Sequence, residues 1–108
     1  MTDGIYDVIL KSPLGLKMGT LALSFQSGIL KGSLTFFGKE NPIRAGIVDG
    51  NTCKFTGNII TAAGEREYKA NVIISGEELH GEAVFYLRTI PVKIPMLIPM
   101  RLTGKRKA

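Results

Sequence analysis

Tryptophan is absent from this sequence, histidine and cysteine occur once each, and no acidic residue follows Glu82. One histidine (His80) and one cysteine (Cys53) cannot assemble a zinc-type donor set, which takes three or four such ligands. A lone cysteine forms no disulfide within its own chain. Nucleophilic catalysis needs a base beside the nucleophile and a third group to orient it, and no such constellation is visible. No run approaches the ~20 apolar residues of a membrane-spanning helix. No window shows a convincing apolar stripe at helical spacing, so low helix content is expected, and no helix is read after any glycine cluster, as a glycine-rich phosphate loop would need. Residues 1–7 carry no basic stretch followed by an apolar run, so no signal peptide is read there. With a single cysteine, the expected location is the cytoplasm. No catalytic residue, metal or cofactor is expected, and the expected class is not an enzyme.

The 108 residues are 44% hydrophobic, enough for one domain (1–108) with a core of its own. Glycine numbers 13, about twice ordinary usage, and separates short alternating runs at roughly 8–12-residue spacing. The runs fall at about 5–11, 16–25, 29–37, 42–48, 52–61, 66–74, 79–87 and 100–106. Alternation assigns their faces: Leu21 and Leu23 oppose Thr20 and Ala22, and Tyr68, Ala70 and Val72 oppose Glu67, Lys69 and Asn71. One apolar and one wet face per strand is the pattern of an antiparallel sheet around a single core. The expected fold is all-β, an antiparallel up-and-down barrel of about eight strands.

An internal repeat accompanies this pattern. Ser12-Pro13-Leu14-Gly15 matches Thr61-Ala62-Ala63-Gly64 at an offset of 49 residues, and the same offset pairs Tyr6 with Phe55, Leu23 with Val72, Leu30 with Leu79 and Gly32 with Gly81. Two four-strand repeats, about 5–48 and 52–106, would meet at Asp49-Gly50 and close without free edges.

The pattern Tyr6…Ser12-Pro13-Leu14-Gly15…Gly19-Thr20-Leu21…Leu30-Lys31-Gly32…Pro42-Ile43…Gly46-Ile47-Val48-Asp49-Gly50-Asn51…Phe55 resembles small calycin-like (lipocalin-like) barrel domains. These motifs are turn and core glycines, so the resemblance implies a barrel and leaves any ligand open. Eight-stranded barrels either fill their interior with side chains or hold one small ligand. The inward-facing residues Leu21, Leu23, Phe36, Phe55, Tyr68, Val72 and Phe85 are therefore the candidate lining of an apolar ligand cavity, with inward glycines supplying space.

The segment 90–100 breaks the alternation. Pro91, Pro95 and Pro99 recur every four residues among large apolar ones, and proline is excluded from regular helices and central strands because it lacks a backbone donor. Three readings are open: a plug over one barrel end, a homodimer surface formed by Ile94, Met96, Leu97, Ile98 and Met100, or a lip over a cavity or membrane surface. Charge is uneven too. Eight basic residues face nine acidic ones up to Leu87, a net of −1, whereas Arg88 onward carries six basic residues and no acid, a net of +6. That tail suits anionic head groups or a phosphate backbone, but most aromatics share parity with core positions, so nucleic acid is not the expected partner. Two functions follow as expectations: a non-enzymatic barrel binding a small apolar ligand, or an interaction module self-associating through 90–100.

Overall fold

The computed structural model describes residues 3–13, 15–61, 64–87 and 96–107. Eight antiparallel strands follow in chain order: β1 (Gly4–Ser12), β2 (Gly15–Gln26), β3 (Ile29–Phe36), β4 (Lys39–Asp49), β5 (Thr52–Thr61), β6 (Gly64–Ser75), β7 (Glu78–Leu87) and β8 (Met96–Arg106). Each pairs with the next, and β8 returns to pair with β1, so the sheet closes into an up-and-down barrel. No helix occurs among the described residues.

Two-residue turns tighten the hairpins. Ser27-Gly28 (φ 51 and 78) and Phe37-Gly38 (φ 56 and 72) both place two left-handed residues between paired strand ends, the type I′ pattern that matches strand twist. Gly50 and Gly76 lead their turns with φ 61 each, ahead of Asn51 and Glu77, the II′ pattern. Two boundaries therefore differ from the sequence reading. The β3–β4 ladder runs as far as Phe36↔Lys39, so the turn is Phe37-Gly38 and β4 starts at Lys39 rather than near 42. Likewise Asp49 pairs with Thr52, which moves the expected Asp49-Gly50 turn to Gly50-Asn51.

The two halves share registers. Ser12↔Gly15 and Gly4↔Leu23 in β1–β2 correspond at 49 residues to Thr61↔Gly64 and Cys53↔Val72 in β5–β6. Gln26↔Ile29 corresponds in the same way to Ser75↔Glu78. The Ser12 hydroxyl donates to the Gly15 carbonyl at 2.7 Å, and the Thr61 hydroxyl donates to the Gly64 carbonyl at 2.7 Å. Further round, the Val48 amide donates to the Gly28 carbonyl (3.2 Å) and the Arg106 amide to the Glu77 carbonyl (2.6 Å).

Strand β8 starts at Met96, not near 100, and runs straight through Pro99, which is in register with Val84. The expectation that proline bars a strand here fails for a topological reason. β8 pairs with β7 from Met96 to Lys105 but with β1 only from Arg101 to Arg106. Among the described residues Pro99 thus sits where β8 is an edge strand, a setting in which a missing donor is tolerated.

Candidate functional site: the barrel interior and the rim of β8

All seven residues expected to line a cavity do converge inside the barrel. Leu21, Leu23, Phe36, Phe55, Tyr68, Val72 and Phe85 are between 0% and 6% exposed. Phe55 meets Tyr68 edge-on with centroids 6.1 Å apart, and Tyr68 meets Phe85 at 5.9 Å. A hollow of ligand size would leave its walls accessible to a water-sized sphere, and these walls are not. Side chains occupy the space, so a ligand among them would have to displace them. The inward glycines add no room: a Cβ on Gly57 would meet the Tyr68 hydroxyl at 2.9 Å, and one on Gly104 would meet Val8 Cγ1 at 2.8 Å. They let a neighbouring side chain or strand come close. Native mass spectrometry is accordingly expected to give multiples of 11.7 kDa with no retained apolar molecule.

Among the described residues, Asn41, Cys53 and Tyr68 are buried polar side chains of different standing. Asn41 is fully buried, and its amide donates to the carbonyls of Leu34 (3.0 Å) and Lys39 (3.1 Å), while its Oδ1 accepts from the Ile60 amide (3.2 Å). Cys53 is buried, and burial pushes its thiol up from 9.0. The Tyr68 hydroxyl is buried without a hydrogen-bond partner among the described residues, and burial pushes its phenol up to about 12 against a smaller opposing pull from Arg44.

For both titrating groups the folded state holds its proton longer than the unfolded chain. Stability is therefore fully present below about pH 9 and falls as pH rises from there towards about 12. Tyr68→Phe should remove the part of that loss above pH 10, amounting to about 3 kcal/mol or less. It should also match or exceed the parent at pH 7, since the hydroxyl it deletes is unpaired. Denaturant melts from pH 7 to 12 read both effects, and a Tyr68→Phe variant weaker at pH 7 would show that the hydroxyl has a partner after all.

The basic C-terminal stretch loses its separateness once β8 is in place. Lys105 lies in register with Glu78 on β7 and Asp7 on β1, and Arg101 lies in register with Glu82. Lys107 Nζ adds an ion pair with Asp7 Oδ1 at 3.8 Å. Opposite charges facing each other across strands are stabilising sheet pairs. Three of the six basic residues read along the sequence, Arg101, Lys105 and Lys107, thus lie beside acids of β1 and β7.

His80 is exposed on the outer face beside an open groove of about 1100 Å³ that also takes in Lys54, Lys69, Asn71, Glu82 and Arg101. Lys54, Asn71, Glu82 and Arg101 sit side by side on successive strands, with Glu82 in register with Arg101. No group of three metal-ligating side chains forms among the described residues.

At the rim the chemistry is simpler. Met96–Met100 has β7 along one edge, and no strand among the described residues pairs with the other. Of the five residues expected to form an interface, Ile98 is half-buried and Met100 is half-buried and packs on the core. Only the backbone of Met96 and Leu97 is described, and Ile94 lies outside the described residues.

No protein-family model, curated protein or solved structure matches this chain.

Sequence reasoning missed two features. Asn41 stood within a presumed turn, with nothing to mark it as a buried tie between strands. Leu16 and Met18, 63% and 78% exposed, were absent from the candidates although their parity with Thr20 and Ala22 already turned them outward.

Proposed function

We propose that this chain is a non-enzymatic interaction module of the cytoplasm, a calycin-like barrel of two related four-strand units that self-associates through the free edge of β8. The observation that carries this reading is the overhang of β8 beyond β1, which leaves an apolar strand, Met96-Leu97-Ile98-Pro99-Met100, paired on one side only among the described residues. An unpaired apolar edge is a template for another strand, and proteins ordinarily blunt or cover such edges. Among the described residues only Pro99 blunts it. The filled interior supports the same reading from the other direction, because it leaves the surface as the place of interaction. Shared registers and hydrogen bonds at a spacing of 49 residues support the duplication.

Sedimentation of the parent chain at tens of micromolar should show a dimer, and the pair Met96→Lys and Leu97→Lys should sediment as a monomer with an unchanged far-UV spectrum. A parent chain that stays monomeric up to about 1 mM would end this reading, since such an affinity amounts to about 4 kcal/mol or less.

A further inference from the structure

We infer that the outer face of β1 and β2 around Ile9, Leu16 and Met18 is part of the same dimer surface, occupied by a second copy of this chain; this rests on the self-association reading above. Register places Ile9 beside Met18 and Lys11 beside Leu16 on the outside of the barrel. The second half of the molecule provides an internal control. The corresponding strand pair there is Asn58↔Glu67, and Glu65 takes the place of Leu16. Arg44 spans that pair, donating from Nη1 to Asn58 Oδ1 (3.3 Å) and meeting Glu67 Oε2 through Nη2 at 3.5 Å. One strand geometry is thus finished with Asn58 and Glu67 in one half and with half-buried Ile9 and exposed Met18 in the other, while the next pair carries one apolar and one charged residue in both halves, Lys11↔Leu16 against Ile60↔Glu65. The fold does not require the apolar version, and exposed apolar surface of this kind marks contact with a partner.

Position and area identify that partner. β1 lies between β2 and β8, and Lys11↔Arg101 is the last pair before β8 becomes a free edge, so face and edge adjoin at one end of the barrel. A five-residue edge alone covers far less than the roughly 800 Å² per partner of a stable interface. An edge strand that pairs antiparallel with its own copy does so about a two-fold axis, which presents the neighbouring β1–β2 face of each copy to the other. The adjoining face supplies the area that the edge lacks.

The test transplants the chemistry of the second half: Ile9→Asn with Met18→Glu, residues that the same strand geometry already carries at 58 and 67. Sedimentation should show the dimer dissociation constant raised at least tenfold, with thermal melting of the barrel unchanged. Leu16→Glu is the second variant and should act in the same direction. Dimers as tight as the parent in both variants would overturn the inference. If the β8-edge variants dissociate while these do not, self-association through the edge stands and the role of this face falls; a monomeric parent overturns both.

Discussion

Alanine at Gly32 or at Gly81 should keep the barrel from closing properly, at a cost of about 3 kcal/mol or more at either site. The two glycines occupy equivalent places 49 residues apart, and a methyl on each would enter the backbone of the preceding strand. At Gly81 it would meet the Asn71 carbonyl oxygen and lie 2.6 Å from Val72 Cα; at Gly32 it would meet the Ala22 carbonyl oxygen and lie 2.9 Å from its carbon. Backbone has no alternative rotamer, so the strands themselves must part. Gly32 carries a further penalty from its φ of 151, a conformation other residues rarely adopt. Gly50→Ala serves as the comparison: its φ of 61 is unfavourable, but nothing lies near the new methyl, so about 1 kcal/mol is expected. Urea melts distinguish these cases. Equal small losses at all three positions would mean that the strands do not approach as closely as described.

Asn41→Leu should be the costliest polar-to-apolar change in the molecule, about 2–3 kcal/mol despite its hydrophobic replacement. Strand β4 leaves the ladder with β5 above Ile43↔Gly57, and Asn41 Oδ1 stands in for the missing strand by accepting from the Ile60 amide. Leucine fills the volume but strands that amide and two carbonyls. Hydrogen exchange should accelerate first at Ile60, because the seam between β4 and β5 opens locally before the barrel unfolds. Unchanged protection at Ile60 in the variant would show that the seam is held elsewhere.

Much of the fold was legible because alternation with a period of two is a direct imprint of a sheet with one buried face. Leu21, Leu23, Tyr68 and Val72 were all placed inward on that ground, and all are buried. What escaped depended on lateral pairing, which a strand's own residues do not encode. Pro99 argued against a strand because its sequence says nothing about where β1 ends. Arg101, Lys105 and Lys107 looked like parts of a free tail because Glu78, Asp7 and Glu82 become their neighbours only through register. Whether the barrel is hollow was equally out of reach: periodicity says which side chains point inward, while their fit depends on strand approach at glycines such as Gly57 and Gly81. The outward position of Leu16 and Met18 was readable from parity. Its meaning appeared only when the second half showed the same positions filled by Glu65 and Glu67.

Amide hydrogen exchange along β8, measured as a function of protein concentration, tests self-association through the rim most directly. Alternation along β8 turns the even-numbered amides toward β7 and the odd-numbered ones toward β1 and the rim, so protection at Leu97 is predicted to rise as the chain is concentrated, while Ile98, Met100 and Leu102, whose amides face β7, stay equally protected throughout. Exchange at Leu97 that does not change with concentration would contradict it.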